Sequence, residues 1–277
     1  QFLGHIREVD AILFVLRCFD NPNVSHVENR IDPVADAETV ETELLLADLE
    51  SLERRIEPLE KRARGGDKAA KAVLPLMQRA LDRLRAGDPV RDMAIEPDQR
   101  AALKSLHLLT AKPALYVANV DENAAATGNM HSERLAAWAA ARGAPCLVVS
   151  AAIEAEIARL DDKDERSEFL SSLGLSETGL ARVIRAGYGL LDLITFFTAN
   201  SKEARAWTIP RGTRAAQAAG TVHSDFERGF IRAETIAYDD YIQCGGEAGA
   251  RDSGKLRLEG RDYVVQDGDL LLFRFNV

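Results

Sequence analysis

Two short segments carry the side chains best suited to reading a nucleobase. Asn119-Val120-Asp121-Glu122 directly follows the apolar run 114–118, and Ser150-Ala151 follows Cys146-Leu-Val-Val149. In an α/β sheet, ligands sit beyond the carboxyl ends of the strands. An asparagine there offers a carboxamide that both donates and accepts, as a purine edge requires. Two strand ends, one Asn-x-x-acid and one Ser-Ala, form the base-recognition half of a phosphate-loop nucleotide site. Its expected contacts are Asn119, Val120, Glu122, Ser150 and Ala151. Asn and Asp after a strand are also ordinary turn residues, so either segment alone says little. The pair, in this order, says more.

The acid sets the choice of base. An aspartate ending Asn-Lys-x-Asp accepts from guanine N1–H and N2–H₂. Here Val120 stands in place of the lysine and the final acid is Glu122, one methylene longer, which spoils that two-point clamp. Adenine, held by Asn119 and backbone near Val120, is the better fit. A register shift to Asp121 as the acid keeps guanine open. A second chemical candidate is His26, in the loop Asn21 to Pro33 with two prolines and three asparagines. A side chain there could swing toward a γ-phosphate and position the attacking water. The plainer reading is a solvent-exposed loop histidine.

Positioning these residues takes a parallel sheet. Ala11 to Leu16 is a continuous apolar run of strand length, as expected of a strand covered on both faces, and the residues before it read as the tail of a helix. Runs 114–118 and 146–149 are two more strands, with an Ala-rich helix over Ser132 to Arg142 between them and short helices on to about Gly187. Between the first two strands the period turns helical. Leu45, Leu49, Leu52, Ile56 and Leu59 are spaced 4, 3, 4 and 3, a coiled-coil-like seam. Gly65-Gly66 breaks it, Asp67 caps the next helix, and Val73, Met77, Ala80, Leu81 and Leu84 continue it to Gly87-Asp88-Pro89. That is an antiparallel helical hairpin, with kinks expected at Pro58 and Pro75. After residue 190, five β-like runs and one short helix, Arg214 to Ala219, suggest a β-grasp-like module.

The motifs resemble the YchF/Obg-like ATPase family, a P-loop branch of the translation-factor class. The resemblance rests on Arg17-Cys-Phe-Asp20, the His26 loop, Asn119 to Glu122, Ser150 to Glu156, Arg185 to Leu190, Arg205 to Ile209, His223 to Glu234, Val265 to Asp269 and Phe273 to Val277. It implies a nucleotide-binding domain over 1–35 and 104–189, a coiled-coil hairpin inserted over 36–103, and a C-terminal TGS domain over 190–277. It also implies ATP hydrolysis with weaker use of GTP, a translation-linked switch, a catalytic loop histidine at His26, and ribosome binding. Family members begin with a phosphate loop, a switch and an Asp-x-x-Gly Mg²⁺ loop, so the ATP phosphates and Mg²⁺ are expected to be held by a segment upstream of Gln1. These 277 residues alone are not expected to hydrolyse nucleotide. The one approach to G-x-x-x-x-G-K-[ST] is Gly249 to Leu256, which ends in Leu rather than a hydroxyl and leads into a strand instead of a helix.

Composition narrows the alternatives. With 35 basic and 44 acidic residues the net charge is −9, which excludes a globally basic nucleic-acid coat. Charge is uneven within the hairpin: 36–60 hold nine acids against Arg54 and Arg55, while 61–85 hold eight basic residues against Asp67 and Asp82. The plain reading is pairing between the two helices. The functional one is a basic tip, Arg54 to Lys71, touching rRNA of the large subunit, alongside TGS residues such as Arg228 and Arg232. No apolar run nears the roughly 18–20 residues of a membrane span. Cys18, Cys146 and Cys244 lie far apart without C-x-x-C, arguing against structural zinc and for a reducing cytoplasm. Cys18 reads as a buried inert thiol, with redox sensing as its alternative. Two other functions stay open: an RNA- or ribosome-binding module with negligible hydrolysis, and a conventional GTPase.

Overall fold

The computed structural model describes residues 2–21, 30–200 and 203–276, and the chain divides into two compact units, 1–190 and 191–277. His26 lies outside the described residues.

In the first unit, α1 (Phe2–Glu8) leads into β1 (Ile12–Arg17), then α2 (Pro33–Arg64), α3 (Lys68–Arg85), α4 (Arg100–Ser105), β2 (Ala114–Asn119), α5 (Met130–Ala140), β3 (Cys146–Val149), α6 (Ala151–Ile157), α7 (Lys163–Ser172) and α8 (Gly179–Leu190). The three strands form one parallel sheet in the order β1-β2-β3, with Arg17, Asn119 and Val149 in register at the carboxyl edge. One face packs Phe14, Leu16, Tyr116 and Ala118 against α2 and α5. The other packs Leu115, Val117 and Val149 against Val183, Ala186 and Leu190 of α8. That second cover stops short of β1. Leu13 and Val15 stay exposed, at 44% and 64%, so among the described residues β1 is covered on one face rather than the two its apolar run implies.

Helices α2 and α3 pack along the seam read from sequence: Leu52, Met77, Ala80 and Leu84 are buried in one cluster with Leu45, Leu49, Ile56, Leu59 and Val73 against it. The α2 N-terminus is capped by Asp32, whose carboxylate accepts from Ala35 N at 3.3 Å, and Asp67 caps α3 by accepting from Ala70 N at 3.1 Å. Both helices run unbroken through Pro58 and Pro75. The expected inter-helix charge pairing is mostly replaced by local pairs. Lys61–Glu57, Arg54–Glu50 and Arg62–Asp67 lie within a helix or the turn, whereas Arg85–Glu53 at 3.0 Å crosses between helices. Long exposed side chains find an i,i+4 neighbour at less conformational cost than a partner on another helix.

The buried carboxylate of Asp48 ties α2 to the chain entering β2. It accepts from Leu109 N (3.0 Å), Thr110 N (2.8 Å) and Thr110 Oγ1 (2.9 Å), and Arg7 Nη1 approaches at 3.2 Å. Tyr116, in mid-β2, adds a second tie by donating its hydroxyl to Glu41, which Arg91 also contacts.

The second unit holds β4 (Leu193–Ala199), β5 (Ala204–Pro210), α9 (Ala215–Val222), α10 (Ser224–Arg228), β6 (Phe230–Ala237), α11 (Tyr238–Gln243), α12 (Glu247–Asp252), β7 (Arg257–Glu259) and β8 (Asp269–Phe275). Its sheet runs β5-β4-β8-β6-β7, mixed in direction because β4 and β8 are parallel. Phe196, Ile209, Ala233 and Phe273 build its core against the alanines of α9. The single expected helix is joined by three others of five or six residues, too short to imprint a helical period on the sequence. Gly249 to Leu256 straddles α12 and the approach to β7, so no helix follows its Gly-Lys as a phosphate loop requires. His223 is the N-cap of α10, its ring Nδ1 accepting from Asp225 N at 3.2 Å.

Candidate functional site

The parallel order β1-β2-β3 brings the two chemistry-bearing segments side by side at one sheet edge. Each strand hands its final backbone groups to its neighbour: Cys18 N donates to Asn119 O at 2.8 Å and Val120 N to Val149 O at 2.9 Å. Above these bonds the Asn119 carboxamide oxygen accepts from Ala151 N at 3.0 Å, joining the Asn-x-x-acid segment to Ser-Ala by a direct contact. Among the described residues the Asn119 amide nitrogen has no hydrogen-bond partner, so it is available as a donor.

Ser150 is buried at 3% exposure, and among the described residues its hydroxyl has no partner. A buried unpaired hydroxyl costs on the order of 1–3 kcal/mol, which marks it as a group awaiting one. Val120 is also buried, so only its backbone could meet a ligand, and its N–H is already committed to Val149. Asp121 serves the turn: its Oδ1 accepts from Asn123 N at 3.0 Å and caps the single 3-10 turn Glu122–Ala124. Glu122 and Ala151 are solvent-exposed.

Two residues the sequence analysis passed over fix this edge. Asn129 donates through Nδ2 to Cys18 O at 2.6 Å and caps α5 through Oδ1, which takes the His131 and Ser132 amides at 3.0 Å each. Gly128 before it has φ +75°, and a Cβ there would lie 2.7 Å from Ser132 Oγ, so this approach needs glycine. Glu154 on α6 caps α8, its two carboxylate oxygens taking Gly179 N at 2.6 Å and Leu180 N at 3.0 Å. The signals were there: an asparagine three residues before Ser132 in capping-box spacing, and an acid four residues after Ser150.

Cys18 is fully buried behind the edge. Burial, with lesser contributions from Cys146 and Asp36, pushes its thiol up to about 12. Such a thiol is neutral and unreactive in the physiological range, as the structural reading of Cys18 expects. Among the described residues no group of three or more His, Cys, Asp or Glu side chains could hold a metal ion, and no helix is long and apolar enough to cross a membrane.

Known proteins resemble this chain along its whole length. The ribosome-binding ATPase YchF of Pasteurella multocida is 53% identical over 277 residues, which are all of this chain and 76% of that protein. The protein of the same name from Bacillus subtilis is 48% identical over 279 residues, with the same coverage. The chain belongs to the YchF family. A family model, YchF-GTPase_C, described as a protein of unknown function (DUF933), matches residues 193–276. The solved YchF GTPase of Schizosaccharomyces pombe superimposes with a TM-score of 0.86 at 33% identity, covering 99% of this chain and 74% of that one. A GTP-binding protein from Pyrococcus horikoshii OT3 shares the fold at a TM-score of 0.63 and 21% identity, over 100% of this chain and 81% of that one. Within this YchF chain, Asn119, Ser150 and Ala151 meet at one sheet edge with Glu122 on the turn beyond it.

Proposed function

We propose that this chain carries the base-recognising part of a nucleotide site in a cytoplasmic, ribosome-associated protein. That protein hydrolyses ATP, with GTP the weaker substrate, and its nucleotide state switches its hold on the ribosome during translation. The observation carrying the reading is the Asn119 carboxamide taking the Ala151 amide at 3.0 Å beside the unpartnered Ser150 hydroxyl. The Asn119 amide nitrogen and Ser150 Oγ are then the donors left for a base. Adenine is favoured because one oxygen of Asp121 is committed to its own turn and Glu122 is a methylene too long for the guanine clamp. ATP supplies the transferable phosphate when bound, and Asn119, Ser150 and Ala151 hold and orient its base. Mg²⁺ and phosphate ligands are not assigned among the described residues. Lacking a G-x-x-x-x-G-K-[ST] segment, these 277 residues by themselves bind a base without hydrolysis. His26 is assigned the role of positioning the attacking water.

In this reading 1–35 and 104–189 form the nucleotide domain, 36–103 an inserted coiled-coil hairpin, and 190–277 a TGS domain. Large-subunit rRNA is contacted at the hairpin tip, where Arg64, Lys68 and Lys71 form no ion pair among the described residues, and by the TGS surface. Tip contacts of this kind weaken steeply with salt.

The test is a titration of full-length protein with fluorescent ATP and GTP analogues at fixed Mg²⁺. Tighter ATP binding, weakened at least about tenfold in Asn119→Ala, is expected. Tighter GTP binding makes the protein a conventional GTPase, and no binding of either leaves an RNA-binding module. His26→Ala is expected to slow hydrolysis without weakening ATP binding; a wild-type rate removes the role given to His26.

A further inference from the structure

A groove of about 390 Å³ runs where α2, α3 and α4 meet. Its floor is apolar, with half-buried Leu59 and Val73 over the buried Met77 and Leu106. Its rim carries Arg54, Arg55 and Arg62, and no aspartate or glutamate lines it. In a chain of net charge −9, that is a local reversal of sign. Arg54 is held loosely enough to exchange partners, whereas Arg62 is committed to Asp67. Arg54 meets Glu50 at 3.7 Å with both side chains about 70% exposed. Arg55 spends Nη1 on the Leu106 carbonyl at 2.9 Å, and Arg62 bonds Asp67 through Nε at 2.9 Å and Nη2 at 2.6 Å. A guanidinium has five N–H donors in a fork matched to a carboxylate, so Arg54 and Arg55 keep donors for one.

We propose that this groove docks an acidic amphipathic segment of a partner protein. The segment seats apolar side chains on Leu59, Val73, Met77 and Leu106 and sets carboxylates on Arg54 and Arg55. Charge complementarity selects the occupant: RNA phosphates would use the arginines but gain nothing from covering an apolar floor, whereas an acidic amphipathic peptide gains from both. The proposal is independent of the nucleotide reading; its rim arginines lie within the basic tip Arg54 to Lys71, so competition by an RNA strand separates it from the rRNA reading.

The experiment is fluorescence anisotropy of the full chain with a fluorescein-labelled twelve-residue peptide of aspartate pairs alternating with Leu and Phe. Saturable one-to-one binding is expected. It should weaken about tenfold or more when glycines replace the apolar residues, and comparably in Arg54→Glu. Arg54 is a solvent-facing helix residue, so the variant folds; Leu59→Gln, which leaves the charge unchanged, should also weaken binding. Four results would each overturn the proposal: no saturable binding, equal binding of the glycine peptide, indifference to both variants, or displacement of the peptide by an equimolar twelve-nucleotide oligouridine.

Discussion

Removing the Asp48 carboxylate should unfasten α2 from the chain that enters β2. Its Oδ2 takes Thr110 N and Thr110 Oγ1, and its Oδ1 takes Leu109 N with Arg7 Nη1 alongside. In Asp48→Asn one oxygen becomes an NH₂ group. If the remaining oxygen keeps the Thr110 pair, the new amide confronts the Leu109 N–H and the Arg7 guanidinium, donor against donor. Leaving a buried backbone N–H unsatisfied costs about 1–3 kcal/mol, and losing a charge-assisted bond from half-exposed Arg7 adds about 1 kcal/mol. The sum is about 2–4 kcal/mol. Asp48→Ala orphans every donor but also removes the cost of burying a charge, for a net loss of about 3–5 kcal/mol. For a unit of 190 residues, 3 kcal/mol corresponds to roughly 6–12 °C in Tm.

The assay is urea unfolding of the wild type, both variants and Asp88→Asn, with amide hydrogen exchange read at Leu109 and Thr110. Asp88 pairs with Arg83 at 3.5 Å with its side chain 51% exposed, so its variant should stay within about 0.5 kcal/mol of wild type. The Leu109 and Thr110 amides should lose protection in Asp48→Ala. A loss below about 1 kcal/mol, or unchanged protection at both amides, would refute the carboxylate as the tie.

Three further outcomes follow from the same structure. Cys18 should resist the thiol reagent DTNB at pH 8 until the chain is unfolded. Its folded pKa, about 12, lies above the ordinary 9.0, so its contribution to stability is full below about pH 9 and is lost as pH rises toward 12; rapid native labelling would contradict this. Glu234 behaves oppositely. Hydrogen bonds from Arg274 at 3.0 and 3.2 Å hold it below its ordinary 4.5, so its contribution is full above about pH 4.5 and disappears as pH falls through the depressed value. Glu234→Gln should flatten the acid limb of urea midpoint against pH, and parallel limbs for variant and wild type would count against it. Glu154→Ala should cost about 1–2 kcal/mol by uncapping α8, with partial recovery in Glu154→Gln; equal urea midpoints for all three would show that the cap is dispensable.

What was legible in the sequence was whatever is encoded locally. The 4-3-4-3 leucine spacing carries its own partner geometry, because residues three and four apart share a helix face, and Leu45 to Leu59 lie on that seam. Strand 146–149 was bounded by a proline and a serine and could be read to the residue. Long-range consequences were harder to read. The continuous apolar run of β1 cannot say that α8 stops over β2 and β3, leaving Leu13 and Val15 exposed. Asp48 did leave a trace: it stands midway between Leu44 and Leu52, four residues from each, both buried. An acid inside a buried stripe is costly unless paired, so it demands partners that only the fold supplies.

The base site divides along the same line. That Asn119 and Ser150-Ala151 end neighbouring strands was readable, because a parallel sheet puts successive carboxyl ends on one edge. Which acid stays free to meet a base was not, since Asp121 and Glu122 are adjacent and chemically alike. The turn separates them. A carboxylate one residue past a strand is well placed to cap the turn that follows, and Asp121 takes the Asn123 amide, whereas Glu122, first in that turn, projects to solvent. Guanine recognition by Asp121 would therefore have to share the oxygen that caps the turn and shapes the segment, a competition that adenine recognition through Asn119 does not meet. The ratio of ATP to GTP affinity in Asp121→Asn measures that argument. The asparagine side chain keeps an oxygen for the Asn123 amide but cannot serve as a guanine acid, so the ratio should stay within about twofold of wild type. A rise of about tenfold, from selective loss of GTP binding, would mean that Asp121 reads guanine after all.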